Sequence, residues 1–212
     1  MSAKHISHET TTEIVEKFAT RLKTRENCNV SIVSKYKIFL DALCASPESE
    51  VSPFVECKLP FLISFYPQHL NDINGTIEST LDTYLLSSYI NGGVQGILLS
   101  YDSFETPTKS QISFDEGVIT IPLVLNCVLF VPTLNTYLIG SISQKSFDHV
   151  ALLVFGIFNV FISNSKIRER LIKKVAQGVL VRFKVVGMNL HHNPPIFEGE
   201  LSDDKCKIVK IE

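Results

Sequence analysis

The sequence predicts an α+β chain: helices on a small antiparallel sheet over residues 1–112, then a C-terminal β-barrel of OB-fold type over 113–212. Three observations carry this. The 212 residues fit two domains of roughly 100 each. Helical apolar periodicity is concentrated in the first half, and the second half is a succession of short strand-like runs. With 45% hydrophobic and 20% charged residues, the composition is that of a folding chain rather than a disordered one.

Thr10, Thr11 and Thr12 offer N-cap hydroxyls to an amphipathic helix whose Ile14, Val15, Phe18 and Leu22 share one face. VSIVSKYKIFL, residues 30–40, alternates Val30, Ile32, Tyr36, Ile38 and Leu40 against Lys35 and Lys37, which predicts a strand with one wet face. The Pro-containing CASPESEVSP reads as a loop, and residues 54–65 as a second extended stretch interrupted at Pro60. A helix is predicted over 76–90, with Ile77, Leu81, Tyr84 and Leu85 as its stripe and Gly92 as its stop. A strand over 94–101 and the polar ETPTKSQ follow, and the domain boundary is placed in that connector.

Beyond it, strands are predicted over 118–131, 137–143, 149–155, 158–162, 179–187 and 196–201. In VLVRFKVVG, Val179, Val181, Phe183 and Val185 point to a core while Arg182 and Lys184 face water. Gly140, Gly156 and Gly187 stand where a small closed barrel bends. Short strands in about 100 residues fit a five-stranded OB barrel.

The net charge of -2 argues against a chain whose main task is wrapping polyanions. Cys28, Cys44, Cys57, Cys127 and Cys206 are odd in number and lack C-x-x-C spacing, which favours reduced thiols in a cytosolic or nuclear protein. The N-terminus has no apolar signal-peptide stretch. The apolar run 150–162 is about a dozen residues against the roughly 20 of a membrane span, so no membrane helix is expected. There is no G-x-S-x-G or H-E-x-x-H, and NGGVQG lacks the Lys-Ser/Thr of a P-loop, so Gly92 and Gly93 read as a helix stop. His191 and His192 read as part of a turn rather than a metal site, and His149 beside Asp148 has no identifiable nucleophile. No catalytic residue, metal or cofactor is therefore expected.

The strongest constellation is basic. Lys166, Arg168, Arg170, Lys173, Lys174, Arg182 and Lys184 are opposed from 166 to 184 only by Glu169. On an OB face, cations seek phosphates and aromatics stack on bases, so these seven and Phe158 are the candidate RNA- or partner-binding residues. The alternative for Phe158 is the barrel interior, and that assignment is preferred for Phe161.

The stretch YLIGSISQKSFDHVALLVFGIFNVFIS, residues 137–163, resembles the RNA polymerase I stalk-subunit family, counterparts of the seventh subunit of RNA polymerase II and of the corresponding stalk protein of the archaeal enzyme. That family has a Gly-containing strand, a polar insertion ending in His before an aliphatic strand, and a Gly-x-Phe-Asn turn; here these are Gly140, His149 with residues 150–154, and Gly156-Ile157-Phe158-Asn159. In the first half YPQHL, TIESTLDTYLLSSYI and GVQGILLSYDSF resemble the family's tip domain. Val160 and Phe161 depart from the smaller residues usual after the Phe-Asn pair.

The resemblance implies a non-catalytic stalk subunit of nuclear, nucleolar RNA polymerase I, acting in initiation of rRNA transcription. Its tip domain would dock on the polymerase core and its OB domain project outward. It also implies a smaller stalk subunit as partner, a polymerase I-specific initiation factor as visitor and single-stranded RNA nearby. The rival reading is a free-standing OB-fold RNA-binding protein, whose expected strongly basic charge this chain lacks.

Overall fold

The computed structural model describes residues 3–25, 29–46, 52–90, 94–106, 111–113 and 117–209. Cys28, Gly92, Gly93 and parts of the two polar connectors, 47–51 and 107–110, lie outside the described residues. In chain order the elements are β1 (Ala3–His5), α1 (His8–Lys23), α2 (Val30–Ala45), β2 (Phe54–Phe65), α3 (Ile73–Tyr84), β3 (Tyr89–Ile90), β4 (Gly96–Glu105), β5 (Gln111–Ser113) and β6 (Val118–Phe130). There follow β7 (Tyr137–Lys145), β8 (His149–Val154), β9 (Phe158–Ser163), α4 (Glu169–Ile172), β10 (Leu180–Asn189), β11 (Ile196–Glu200) and β12 (Lys207–Val209). They form two compact units: Met1–Ile6 with Phe54–Val131, and Ser7–Pro53 with Pro132–Glu212.

The first unit is an antiparallel sheet in the order β1-β2-β6-β4-β3, with β5 also on β6. The long β6 pairs with β2 without a break from Ile119–Phe65 to Phe130–Phe54, with β4 over Val124 to Phe130 and with β5 over Val118 to Thr120. Pro122 falls in the gap between β5 and β4, where a missing N–H removes no ladder bond on that side. Pro60 does not interrupt β2 as expected: β1 flanks only Val55 to Cys57, and farther along β2 is an edge strand, where proline is tolerated.

The Asp72 carboxylate caps α3 by accepting the Gly75 N–H at 2.9 Å. Ile77 and Leu81 are fully buried one turn apart, with Leu85 buried just past the end. The helix does not reach Ile90 as expected. Leu86 turns into the left-handed region, φ 54°, and gives its N–H to the Leu98 carbonyl at 2.9 Å, after which β3 pairs with β4. Sheet pairing overrides the helical pattern there.

In the second unit β7, β8 and β9 form a meander, β9 runs parallel to β11, and β10 pairs antiparallel with both β11 and β7. This closes a five-stranded barrel in the strand order of an OB fold. Leu138, Ile142, Val150, Leu152, Val154, Phe158, Val160, Ile162, Val181, Phe183, Val185 and Phe197 are buried in the alternate positions that fill it. A Cβ on Gly199 would stand 2.7 Å from Phe183 and 2.9 Å from Ile162, so only glycine fits between those side chains. His191 and His192 are exposed in the β10–β11 turn.

Three expectations change here. Residues 30–40 are not a strand but most of α2, capped by Asn29 and buried through Tyr36, Phe39 and Leu43. The spacing 36, 39, 43 is helical, whereas Ile38 and Val30 of the apparent alternation are exposed. The α1 cap is Ser7, whose Oγ accepts the Thr10 N–H at 3.2 Å, rather than a threonine. The expected boundary at 112 falls within β5, and β6 beyond it completes the first sheet rather than the barrel. A polar connector marks exposed chain; it does not mark where one core ends.

The helical pair belongs with the barrel. Phe18 and Tyr36 join α1 to α2 edge-to-face at 5.7 Å, and Phe39 and His8 meet Phe155 in the β8–β9 turn at 5.6 and 6.0 Å. That turn is closed by the Ile157 N–H on the Val154 carbonyl, and its central residues Phe155 and Gly156 both have positive φ, 48° and 69°. The left-handed backbone at a phenylalanine costs on the order of 1–3 kcal/mol, and burial of its ring against the two helices offsets it. A Cβ on Gly156 would come within 2.7 Å of Ile38.

Among the described residues no helix is long and apolar enough to cross a membrane. Because Leu81 is fully buried, Leu81→Ala is expected to lower unfolding free energy by about 2–5 kcal/mol in a denaturant titration. A loss within about 0.5 kcal/mol, the range of surface substitutions, would show that α3 does not pack through this residue.

Candidate nucleic-acid and partner interface

Strand β9 sorts its side chains by parity. Phe158, Val160 and Ile162 point into the barrel, while Asn159, Phe161 and Ser163 point out. Phe158 is 0% exposed and meets Phe197 edge-on at 6.4 Å, so its ring belongs to the core and is not a stacking platform. Phe161 is 40% exposed. For Phe158 the structure selects the barrel-interior alternative, and Phe161, for which the interior is the preferred expectation, is on the outer face. The signal was present: Phe158 shares its parity with two aliphatics, and Phe161 with Asn159 and Ser163.

Across from β9, His149 opens β8 and sets its ring edge-on to Phe161 at 5.6 Å. Its Nδ1 lies 2.7 Å from the Asp148 carboxylate, and this hydrogen bond holds Asp148 below the ordinary carboxylate value. The pair orients the imidazole beside Phe161, giving the barrel wall one exposed aromatic step.

The seven cations differ in exposure and in their partners. Lys166, Arg170, Lys173 and Lys174 are exposed along the β9–β10 connection, which includes α4. Arg168 is tied down, its Nε donating to the Ser202 carbonyl and its Nη1 to Asp204 at 2.6 Å. Together with the Ile167–Leu201 bridge, this fastens the connection to the chain beyond β11. Lys145 was not anticipated: its Nζ donates to the Ile172 carbonyl at 2.7 Å and caps the end of α4.

Arg182 and Lys184 lie on the outward side of β10 opposite β7. The Arg182 guanidinium sits 5.0 Å from the centre of the Tyr137 ring, and the Lys205 ammonium 5.6 Å from it. The Tyr137 hydroxyl donates to Asp203. That bond, with smaller contributions from desolvation and from the Asp203 charge, pushes Tyr137 up to about 12, and it lowers Asp203. Tyr137 had no signal of its own in the sequence, because its hydrogen-bond partner Asp203 lies 66 residues away. Among the described residues no three His, Cys, Asp or Glu side chains are grouped to hold a metal ion.

The chain that carries these four exposed cations on the β9–β10 connection and an exposed Phe161 on β9 has relatives among known proteins. One is DNA-directed RNA polymerase I subunit rpa43 of Schizosaccharomyces pombe, 30% identical over 106 residues, covering 50% of this chain and 60% of the relative. The chain is similar to the RPA43 subunit of RNA polymerase I. A probable RPA43 of Dictyostelium discoideum is 22% identical over 165 residues, 71% of this chain and 46% of the relative. Human RPA43 is 29% identical over 122 residues, 57% of this chain and 36% of the relative. The matched regions thus span from about a third to three fifths of these RPA43 chains. No family model matches the chain. The residues that carried the expected resemblance to RNA polymerase I stalk subunits occupy one stretch of barrel: Gly140 within β7, His149 opening β8, and Gly156 to Asn159 leading from the tight turn into β9.

Truncation should separate the two phenylalanines. Phe158→Ala is expected to cost about 3–5 kcal/mol of stability, whereas Phe161→Ala stays within about 0.5 kcal/mol in the same denaturant titration; equal losses would place both rings in the core. The Tyr137–Asp203 bond carries a pH signature. Folding keeps Tyr137 protonated to higher pH than its ordinary value of 10.0, so the stability it contributes is present below that pH and is lost as pH rises toward about 12. In a near-ultraviolet titration of tyrosine ionisation, the late component should shrink equally in Asp203→Ala and Tyr137→Phe. Burial also raises Tyr89, and its component should remain in both variants.

Proposed function

We propose that the chain is a non-catalytic stalk subunit of nuclear, nucleolar RNA polymerase I, acting in initiation of rRNA transcription. The observation that carries this reading is the similarity to RPA43 chains of several species, joined to a closed barrel of OB strand order. In this reading the first unit docks on the polymerase core. Leu62 is 69% and Tyr66 59% exposed, and Leu70 and Ile73 follow within the same turn-and-helix segment, an apolar surface suited to a partner. A smaller stalk subunit pairs with the chain, and a polymerase I-specific initiation factor is received by the assembled stalk.

The barrel's part is contact with single-stranded RNA through Phe161 and the cations Lys166, Arg170, Lys173 and Lys174, a stacking surface beside phosphate-seeking charge. Arg168 and Arg182 support this surface through their contacts with the chain itself, and Lys184 adds charge on the outward side of β10. The near-neutral whole chain is consistent with a subunit that meets RNA only inside an assembly.

Purification of the tagged full chain from its native source tests the assembly, with the large subunits of RNA polymerase I expected to co-purify. Recovery as a lone protein or as a ribonucleoprotein without polymerase would overturn it. The RNA component is tested separately by salt-dependent binding of single-stranded RNA. Replacing Lys173 and Lys174 by Glu should remove about two contacts from a slope of roughly -0.7 per contact, and Phe161→Ala should weaken binding by about 1–3 kcal/mol. Unchanged affinity in both variants would remove RNA from the proposal.

A further inference from the structure

The first unit holds two thiols with no part in any surface described above. Cys57 on β2 and Cys127 on β6 occupy directly opposed positions of one antiparallel ladder. Both are buried, at 4% and 3% exposure, and their Sγ atoms are 4.0 Å apart. Opposed residues in such a ladder have Cα atoms about 4.5 or 5.5 Å apart, inside the roughly 4.4–6.8 Å window that a disulfide spans. A bond therefore requires the sulfurs to approach by about 2 Å, a motion that side-chain rotation supplies without moving strands. The unbroken ladder on both sides, Phe54 to Phe65 against Ile119 to Phe130, keeps the two facing each other.

We propose that Cys57 and Cys127 form an oxidant-responsive dithiol that closes to a disulfide between β2 and β6. With hydrogen peroxide as oxidant, the Cys57 sulfur attacks one peroxide oxygen and the O–O bond breaks. The displaced hydroxide takes up the thiol proton as water and leaves Cys57 as a sulfenic acid. The Cys127 sulfur then attacks the Cys57 sulfur, the S–O bond breaks, and the departing hydroxide leaves as water with the Cys127 proton. In sum two thiols are oxidised and one peroxide is reduced to two waters. The order follows from how each thiol is held: the contact with Cys127 holds Cys57 below its ordinary value, whereas the same contact and burial hold Cys127 above its own. Cys57 is thus the first to supply a thiolate.

The experiment uses the full chain with Cys28→Ser and Cys44→Ser, which removes the exposed Cys44 and leaves Cys57, Cys127 and Cys206. Folded protein is treated with hydrogen peroxide at doses that oxidise Cys44 in the parent chain. It is then quenched, alkylated in denaturant, digested and examined by mass spectrometry. The expected result is a linked peptide joining Cys57 to Cys127, loss of two of the three free thiols, and a raised Tm that returns to its starting value on reduction. In the same background Cys127→Ser should give no linked peptide and should carry Cys57 onward to the sulfinic acid. Recovery of Cys57 and Cys127 alkylated, their over-oxidation without a link, a link to Cys206, or a link that forms only once denaturant is present would each overturn the proposal.

Discussion

Backbone N–H and C=O groups buried in a sheet must be paired, and this constraint governs both units. In the first, β6 satisfies it on both flanks by pairing with β2 on one side and with β4 and β5 in succession on the other. Pro60 and Pro122 are admitted only where a flank is open. In the second, β11 satisfies it by joining β9 in parallel and β10 antiparallel, which removes the open edge that a five-stranded sheet would present. The placement of side chains follows from these pairings, since register decides parity and parity decides which residues face water.

That dependence explains what could be read in the sequence. The barrel strands were legible because each alternates over several residues, as in β10, where Val181, Phe183 and Val185 are buried between Arg182 and Lys184. Residues 30–40 were not, because apolar side chains lie on most sides of α2. Positions 32, 36, 38 and 40 satisfy a period of two as readily as 36, 39 and 43 satisfy a helix. The packing of Tyr36 on Phe18 and of Phe39 on Phe155, the latter more than a hundred positions away, selects the helical answer.

The candidate surface was partly legible. Cation density between 166 and 184 identified the β9–β10 connection, and four of its cations are exposed there. Sequence proximity could not separate them from Arg168, whose partners Ser202 and Asp204 lie beyond β11, or from Arg182, which rests on a tyrosine of another strand. A run of like charges records how many cations a segment carries. Which of them remain available to a ligand is set by the acceptors and rings that the fold brings to each one.

The second unit is built from two stretches, Ser7–Pro53 and Pro132–Glu212, with the first unit's strands encoded between them. During synthesis this imposes an order. The first unit has all its strands once residue 131 has left the ribosome, so its sheet can close while the barrel is still untranslated. Helices α1 and α2 are made early, yet the β8–β9 turn that their inward face covers comes more than a hundred residues later. Until then Phe39 and its neighbours have no core to enter. The nascent chain must carry these two helices while the whole first unit is made, and the interval exposes them to chaperones and to mispairing.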